Sequence, residues 1–250
     1  MEAHLRALVV SDLHSNAEAL RAVMSHVRRK KFDQVVCLGD FVGYGAEPNQ
    51  VLDTMRALRG AKLYVRGNHD RVAAGVEDGA GFHPAAKEAA LWTRSHLSAP
   101  NRGFLQRLTV GPVRQDSVML CHGSPDHEDE YVFTEHHAAQ ILIQYDSPVI
   151  LYGHTHLPVI FSVDQDRNVG GLLVRGEATF KLDPALRYLI NPGSVGQPRD
   201  RNPEASFAIF DSGRMTVQFF RVPYDYTKTQ RSIIKAGLPL INAERLAYGT

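Results

Sequence analysis

The first 65 residues alternate short apolar runs with segments whose apolar residues recur at helical spacing. Nearly continuous apolar runs at Leu5–Val10, Gln34–Leu38 and Leu63–Val65 predict strands that are covered on both faces. The segments between them, Asn16–Lys30 and Pro48–Leu58, have the three- and four-residue apolar spacing of amphipathic helices. This β-α-β-α-β order favours a parallel sheet with helices packed on it.

The starts of these helices carry their own signals. Asn16 can accept a hydrogen bond from an amide of the first turn, so we expect it to be the N-cap of the first helix. Pro48 suits the first turn of the second helix, because the N–H that proline lacks would have no partner there.

The middle of the chain is richer in helix. Helical spacing predicts helices at Pro84–Leu97, Arg102–Leu108 and Thr134–Gln144, the last with Thr134 as its N-cap. Apolar runs at Ser117–Cys121 and Val149–Tyr152 predict two further buried strands.

The last third of the chain changes to short strands joined by turn-rich segments. The predicted strands are Val159–Val163, Leu172–Phe180, Leu186–Ile190, Ala205–Phe210 and Met215–Val222. Their short connections imply antiparallel pairing. Closing helices are predicted at Asp225–Ala236 and Asn242–Ala247. No repeat or linker interrupts the chain, so we expect one domain over residues 1–250, with two facing sheets covered by helices.

Composition narrows the class of protein. Hydrophobic residues make up 44% and charged residues 22%, as in a globular protein that buries a core. The net charge of +1 lacks the basic excess typical of proteins that bind long nucleic acid, so we expect no such partner. Cys37 and Cys121 are too few for a disulfide framework and suit a reducing compartment. The N-terminus lacks a secretion signal and no apolar stretch suits a membrane helix, so we expect a soluble, cytoplasmic protein without a membrane partner.

Polar residues of related chemistry follow five of the predicted strands. In chain order they are Asp12, His14, Asp40, Asn68, His69, His122, His154 and His156. Because ligands of α/β sheets bind at the carboxyl ends of the strands, we expect these eight side chains to lie together. Each short motif is weak evidence alone, since Gly-Asp or Asp-x-His is common. The ordered set, with each member directly after a strand, is specific.

These side chains have the chemistry of a metal centre. Carboxylate, imidazole and amide oxygen are ligands of divalent metals such as manganese, iron and zinc. Eight candidates are too many for one tetrahedral ion, but they suit two ions that share one carboxylate. Glycines at the strand ends let the chain turn sharply and approach an ion closely: Gly39, Gly67, Gly123 and Gly153.

The ordered set resembles the motifs of the calcineurin-like metallophosphoesterase superfamily: Asp-x-His, Gly-Asp, Gly-Asn-His-Asp/Glu, His and Gly-His-x-His. All five are present between Asp12 and His156. The turn Asn191-Pro192-Gly193-Ser194 is similar to that of the bacterial small-phosphodiesterase branch. The resemblance implies an α/β fold, a four-layer α-β-β-α sandwich of two mixed sheets flanked by helices.

The resemblance also implies a role for each residue. One metal would be held by Asp12, His14, Asp40 and His156. The other would be held by Asp40, Asn68, His122 and His154. Asp40 would bridge, a hydroxide between the metals would attack phosphorus, and His69 would protonate the leaving group. We expect two divalent ions and favour manganese. Iron, zinc, nickel and cobalt accept the same ligands.

The segment Gly39–Gly45 departs from the protein phosphatases of the superfamily, whose pattern is Gly-Asp-x-Val-Asp-Arg-Gly. Gly43 and Tyr44 replace the second aspartate and the phosphate-binding arginine, which argues against protein phosphatase activity. Tyr44 could line the substrate pocket or pack in an ordinary turn. Residues that could compensate for the missing guanidinium are Arg66, Arg199 and Arg201.

Two further features leave alternatives open. Asp70 could orient His69 or cap the turn that follows. The acidic run Asp126–Glu130 is expected to be a solvated loop, although it could also repel polyanions from the entrance of the site. Surface or capping roles are expected for the histidines without a motif, which are His83, His96, His127, His136 and His137.

We therefore expect a dinuclear metal-dependent phosphoester hydrolase that acts on small diesters, as the branch resemblance favours. A phosphomonoesterase with the same site is the nearest alternative, and a non-catalytic metal-binding scaffold is the alternative of another class. The complete set of candidate ligands argues against the scaffold. The expected partner is a small phosphate ester. The β-rich last third could supply a sheet edge or face for a homodimer. The sequence leaves the oligomeric state open.

Overall fold

The computed structural model of the protein describes residues 5–250. Residues 1–4 lie outside this range. They begin the N-terminal segment for which we predict no secretion signal. The described residues form two six-stranded sheets and eight α-helices. No helix in this part of the chain has the length and apolar character needed to cross a membrane.

The first sheet is mixed. Its strands are β1 (Arg6–Val10), β2 (Gln34–Cys37), β3 (Ala61–Tyr64), β9 (Ala178–Lys181), β11 (Ala205–Asp211) and β12 (Thr216–Val222). They lie in the order β3-β2-β1-β11-β12-β9. β1, β2 and β3 run parallel, as their connection by helices predicts, and the other pairs are antiparallel.

The second sheet is also mixed. Its strands are β4 (Val113–Gln115), β5 (Val118–Leu120), β6 (Val149–Leu151), β7 (Pro158–Val163), β8 (Val169–Leu173) and β10 (Arg187–Pro192). They lie in the order β4-β5-β6-β10-β7-β8. β5, β6 and β10 run parallel in the centre, and the outer pairs are antiparallel.

Helices cover the outer faces of both sheets. They are α1 (Ala17–Val27), α2 (Pro48–Ala57), α3 (Asn68–Ala74), α4 (Pro84–His96), α5 (Ala99–Gln106), α6 (Glu135–Gln144), α7 (Tyr226–Lys235) and α8 (Leu240–Glu244). A 3₁₀ turn at Arg245–Ala247 follows α8. The expected N-caps are confirmed, because Asn16 accepts from the Ala19 amide at 3.0 Å and Thr134 from the His137 amide at 3.2 Å.

The core has the predicted four layers. Side chains from both sheets, among them Val9 and Leu151, form one buried cluster between the sheets. The outer face of the first sheet packs on α1 and α2 through Leu8, Leu20 and Leu52. The outer face of the second sheet packs on α6. Each sheet thus buries both faces, which explains why its central strands are continuously apolar. The expected α-β-β-α sandwich is confirmed.

One predicted strand is wrong. Leu172–Phe180 is not continuous, because β8 ends at Leu173 in the second sheet and β9 begins at Ala178 in the first. Between them the chain crosses from one sheet to the other through a turn that includes Gly176, whose φ is +79°. A run of strand-forming residues gives no sign of a change of sheet.

Other differences concern short elements. α3 and β4 were not predicted, because seven and three residues are too few for a periodic signal. α5 begins at Ala99 rather than Arg102, with Ser98 as its N-cap. The strands of the last third pair antiparallel as predicted, except that β10 also pairs parallel with β6.

Candidate metal centre

The eight predicted side chains lie together where the two sheets meet. Asp12, Asp40 and Asn68 follow β1, β2 and β3 of the first sheet, and His122 and His154 follow β5 and β6 of the second. The set is completed by His14, His69 and His156. Every member is at most 7% exposed. Because both sheets supply side chains, the centre exists only when the sheets are packed against each other.

One half of the centre consists of Asp12, His14 and His156. The Nε2 atoms of the two histidines are 3.0 Å apart. The His156 Nε2 lies 3.3 Å and the His14 Nε2 3.9 Å from Oδ1 of Asp12. This carboxylate oxygen is buried and has no hydrogen-bond partner among residues 5–250. A buried carboxylate oxygen without a hydrogen-bond partner is costly, so its presence favours a cation at this point.

The other half consists of Asp40, Asn68, His122 and His154. The Nε2 of His122 lies 3.3 Å from Oδ2 of Asp40 and 3.1 Å from Oδ1 of Asn68. The same Asp40 oxygen is 3.7 Å from Nε2 of His14 in the first half. Asp40 therefore faces both halves of the centre.

Main-chain carbonyl groups orient three of the imidazole rings. Nδ1 of His14 contacts the Val42 carbonyl at 3.0 Å. Nδ1 of His122 contacts the Leu38 carbonyl at 2.7 Å. Nδ1 of His156 contacts the Gln197 carbonyl at 2.6 Å. A ring that donates through Nδ1 presents the lone pair of Nε2, which is the usual arrangement of a metal-binding histidine.

His154 has the opposite orientation. Its Nε2 lies 3.2 Å from the carbonyl oxygen of Asp129, so Nδ1 is the nitrogen left to face the centre. Tyr131 stacks on this ring with the ring centres 3.9 Å apart, and Phe133 stacks on Tyr131 at 5.2 Å. Two aromatic rings thus hold the orientation of His154 from the solvent side.

Burial and neighbouring charges set the ionisation that a cation site needs. Burial lowers the pKa of His14 and of His156, and it lowers the pKa of His154 to about 3, so these rings are neutral near pH 7. Burial alone would raise the pKa of Asp12 and Asp40, but the neighbouring histidines hold both below their usual value. Neutral imidazole and ionised carboxylate are the forms that bind metals.

The pKa of His122 shifts in the opposite direction from that of the other three histidines. Burial works against the charge, but the adjacent Asp40 carboxylate raises the pKa of His122 to about 10. A proton on its Nε2 occupies the place that a cation would take, so metal binding there would release a proton.

The backbone of the centre is strained. A positive φ, between 45° and 65°, occurs at five of the seven candidate ligands, namely Asp12, His14, Asp40, His154 and His156. Non-glycine residues rarely adopt this region, and each such conformation costs about 1–3 kcal/mol. Gly67 shows how tight the packing is, because a Cβ there would overlap Asp40 Oδ1. Strain of this kind is typical of functional sites.

The donor atoms fit two divalent cations. They form overlapping groups within 4.8 Å: Asp12, His14 and His156; His14, Asp40 and His69; Asp40, His122 and His154. Asp40 links the first and third groups, because it belongs to the third and its Oδ2 lies 3.7 Å from Nε2 of His14 in the first. Carboxylate and imidazole donors with one shared carboxylate suit a pair of borderline divalent ions.

His69 lies at the boundary between the centre and a cavity of about 360 Å³. Its main-chain N–H donates to Oδ1 of Asp40 at 2.9 Å. Its Nδ1 is buried without a hydrogen-bond partner in the described chain and lies against Gly43. The rings of Tyr44 and Phe82 pack on it, with centres at 4.5 and 4.7 Å. Burial lowers the pKa of His69 to about 4.

The structure decides the role of Asp70. Its carboxylate accepts from the amides of Gly67 at 3.1 Å and Val42 at 3.3 Å. These contacts cap α3 and tie it to the Gly39–Gly45 segment. Among the described residues Asp70 makes no hydrogen bond to the His69 ring, so it acts as the cap rather than as the group that orients His69.

The structure explains why Gly43 and Tyr44 stand where protein phosphatases have aspartate and arginine. A Cβ at Gly43, where φ is +96°, would overlap Nδ1 of His69, so the position has no room for a side chain. Tyr44 lines the cavity and packs on His14 with ring centres 4.7 Å apart. The segment is therefore part of the pocket wall.

Of the three arginines suggested as a replacement, Arg199 is the one that contacts the wall of the cavity beside His69. Arg66 pairs with Glu128 at 3.0 Å, and Arg201 is exposed. Arg199 donates to the hydroxyl of Tyr44 at 3.3 Å. The prediction of a solvated loop at Asp126–Glu130 is wrong for Glu128, whose side chain is only 9% exposed and contacts two arginines. Asp126 and His127 are exposed, as predicted.

Several residues of the cavity wall could not be predicted from the sequence. They are Phe82, Tyr131 and Arg71 in the cavity beside His69, and Arg245 in an adjoining cavity. His83, expected at the surface, is exposed and lines both cavities. None of these residues belongs to a motif, so only their position in the fold brings them to the site.

Comparison with known proteins gives a consistent result. Residues 5–215 match the family described as the calcineurin-like phosphoesterase superfamily domain. The chain is 37% identical to the protein MJ0912 of Methanocaldococcus jannaschii over 246 residues, which cover 96% of this chain and 97% of that protein.

Solved structures show the same fold. A metallophosphoesterase from Sphaerobacter thermophilus is 35% identical, with 99% of this chain and all of that chain covered and a TM-score of 0.86. The hypothetical protein PH1004 from Pyrococcus horikoshii is 19% identical, with 98% of both chains covered and a TM-score of 0.77. The latter similarity concerns the fold alone.

Proposed function

The chain belongs to the calcineurin-like phosphoesterase superfamily, and on that premise we propose that it hydrolyses small phosphodiesters with two divalent metal ions. Membership makes it a metal-dependent phosphoesterase. The observation that supports the finer proposal is a pair of buried donor groups linked by Asp40, which belongs to one group and lies 3.7 Å from His14 of the other. They lie beside a cavity of about 360 Å³ whose wall includes Asn68, His69 and His154.

The candidate ligands divide between the two ions. One would be held by Asp12, His14, Asp40 and His156. The other would be held by Asp40, Asn68, His122 and His154. When bound, the ions would neutralise charge on the phosphoryl oxygens and activate water. The chain itself contributes rigid placement, since the carbonyl contacts at Nδ1 of three rings leave little to rearrange.

We assign proton donation to the leaving group to His69. Its ring reaches the cavity and is held between Tyr44 and Phe82. Burial lowers the pKa of His69 to about 4, so the ring is neutral in the empty cavity near pH 7. An anionic phosphate beside the ring would favour the protonated form and so place the proton next to the leaving-group oxygen.

The proposed preference for diesters rests on Tyr44. A dianionic monoester is bound best by a guanidinium fork at the reacting phosphoryl group, and Tyr44 takes that place here. Burial raises the pKa of Tyr44, so it is a neutral phenol. A diester carries one negative charge and needs less compensation. Phosphomonoesterase activity is the second candidate, because Arg199 brings a guanidinium to within 3.3 Å of the Tyr44 hydroxyl.

The remaining assignments are also proposals. We propose manganese as the metal, since it accepts carboxylate, imidazole and amide oxygen together. We propose a cytoplasmic location, which is consistent with two buried free thiols at Cys37 and Cys121. The size of the cavity supports a small substrate rather than long nucleic acid.

The first test compares bis-p-nitrophenyl phosphate with p-nitrophenyl phosphate, with added manganese and then with excess chelator. We expect turnover that chelator abolishes and that is faster for the diester. Faster turnover of the monoester would move the substrate class to phosphomonoesters while keeping the site.

Metal analysis of the purified protein distinguishes the enzyme from a scaffold. We expect about two metal ions per chain after manganese is added. Less than one ion per chain, together with no turnover of either ester with any of the candidate metals, would favour the non-catalytic scaffold.

A further inference from the structure

A second cavity adjoins the one beside His69. It has a volume of about 370 Å³ and shares Tyr44, His83, Ala86 and Tyr131 with the first. Its distinguishing residues are two arginines, Arg199 and Arg245. The two cavities therefore form one continuous cleft, with the metal centre at one end and two guanidinium groups at the other.

Arg199 is fixed in place but retains hydrogen-bonding capacity. Its guanidinium donates to the hydroxyl of Tyr44 at 3.3 Å and to Oε1 of Gln197 at 3.0 Å. Its Nε is buried and has no hydrogen-bond partner among the described residues. A buried donor without a partner is costly, so a ligand that accepts from it would be favoured.

Arg245 lines the same cavity and is the first residue of the 3₁₀ turn that follows α8. Its Nε donates to the main-chain oxygen of Thr250. Burial, and then the neighbouring Arg199 guanidinium, lowers the pKa of Arg245. Two cationic groups therefore lie close enough to disfavour each other's charge, and both remain charged because guanidinium does not lose its proton in proteins.

No acidic side chain offsets this pair. Within residues 5–250, neither Arg199 nor Arg245 has an aspartate or glutamate side chain within 4.0 Å. Other partly buried arginines of the protein do, such as Arg71 with Glu128 and Arg221 with Asp200. Neither guanidinium group has a carboxylate side chain beside it in the described chain, and Arg245 is bonded there only to the main-chain oxygen of Thr250, so the cavity keeps a positive potential that an anion would relieve.

The position of the pair favours a ligand other than the reacting phosphoryl group. Tyr44 separates the arginines from the centre, with its ring 4.7 Å from that of His14 and 4.5 Å from that of His69. An anion between the arginines would therefore lie one side chain further along the cleft than an anion at the metals.

We propose that Arg199 and Arg245 bind a second phosphoryl group of the substrate. The substrate would then be a small organic phosphate with one phosphoryl group at the metal centre and another between the two guanidinium groups. The organic portion would lie along the aromatic wall that both cavities share, Tyr44 and Tyr131. This inference rests on the proposed function, since it names the class of substrate for the same site.

The kinetic test uses two esters that differ only in the second phosphoryl group. These are the p-nitrophenyl ester of thymidine 5′-monophosphate and the same ester with an added 3′-phosphate. We expect Arg199→Gln and Arg245→Gln each to lower kcat/KM for the doubly phosphorylated ester by about 10-fold or more, as for loss of a charge-assisted hydrogen bond. In the Arg245→Gln variant, the singly phosphorylated ester should change by less than about two-fold.

Arg231→Gln is the matched control. Arg231 is an exposed arginine of α7 and is not among the residues that line either cavity, so its replacement should leave both esters unchanged. Equal losses for both esters in the Arg199 and Arg245 variants would overturn the proposal, because the pair would then serve the reacting phosphoryl group. No loss for either ester would overturn it as well.

A binding measurement separates this proposal from the proposed function. Calorimetric titration of the full-length, chelator-treated protein with inorganic triphosphate requires no hydrolysis. We expect binding that Arg199→Gln and Arg245→Gln weaken by about 10-fold and that Arg231→Gln leaves intact. If the wild-type protein hydrolyses no ester but shows this pattern, the proposed function fails and the anion site stands. If triphosphate binding is equal in all variants, the anion site fails, whatever the activity.

Discussion

The two ends of the cleft are built in different ways. At the metal end, the seven candidate ligands are buried, directly follow strands and mostly have a strained left-handed backbone. At the other end, the wall consists of half-buried or exposed side chains such as His83, Tyr131, Arg199 and Arg245, which come from loops and from the closing 3₁₀ turn. The first end depends on the packing of the two sheets, and the second on how loops and the C-terminal segment cover them.

This difference suggests that the metal end serves catalysis and that the far end selects the substrate. Strained backbone persists only where the surrounding structure overdetermines it, and the strand ends of two packed sheets supply that rigidity. Rigid placement is what electrostatic stabilisation of a transition state requires. Loops tolerate change more readily, so they are suited to selecting the substrate. Changes at the metal end should therefore affect every ester, and changes at the far end should affect some esters more than others.

The largest expected effect is that of Asp40→Asn. Asp40 belongs to one donor group and lies 3.7 Å from His14 of the other, so both are affected. Metal content should fall from about two ions to less than one, and turnover of every ester should fall roughly a thousand-fold or more. Metal analysis and bis-p-nitrophenyl phosphate hydrolysis check this. Asp166→Asn, in an exposed turn, is the control that should retain both. Normal binding of one ion in the Asp40 variant would show that Asp40 does not bridge.

An intermediate effect is expected for Gly43→Ala, at the junction of the two ends. The added Cβ would overlap Nδ1 of His69 and displace the ring. Turnover of esters with poor leaving groups should fall roughly 100-fold, nitrophenyl esters should fall less, and metal content should remain near two.

Gly176→Ala is the matched control for this change. Gly176 has a similar positive φ of +79°, but nothing lies within 4 Å of a Cβ added there. The control should lose about 1 kcal/mol of stability from the backbone conformation and no activity. If Gly43→Ala slows all esters equally, or loses metal, His69 is not the proton donor.

The smallest effect is expected for Tyr131→Leu, at the wall shared by the two cavities. Loss of the ring should raise KM for nitrophenyl esters about 3- to 10-fold, as for loss of one aromatic contact, with kcat within about two-fold. Tyr131→Phe should restore the wild-type value because it keeps the ring. Since Tyr131 also stacks on His154, metal content must be measured; its loss would mean that Tyr131 positions the ligand instead of contacting substrate.

The metal end could be predicted because its residues obey local rules. A ligand at the carboxyl end of a buried strand follows that strand within a few residues, as Asp12 follows β1 and His122 follows β5. The apolar strands give their position and the polar residues after them give the chemistry. The role of Asp70 could not be predicted, because it depends on the Val42 amide, which belongs to a different loop.

The far end could not be predicted for the same kind of reason. Arg199 and Arg245 carry no motif, and their proximity depends on how α8 and the 3₁₀ turn pack beside the Gly39–Gly45 segment. The change of sheet after β8 was missed because strand-forming residues continue through it. Local patterns specify what a segment forms but not which sheet it joins.

The sequence by itself determined the fold class, the order of the main strands and helices, and the set of candidate metal ligands. These follow from apolar periodicity and from polar residues placed after strands, which act over short stretches of chain. Only the tertiary structure decided that Asp40 faces both donor groups, that Gly43 has no room for a side chain, and that two arginines without acidic partners share one cavity. Each of these depends on distances between segments far apart in the chain, and packing of the two sheets and their covering helices sets those distances.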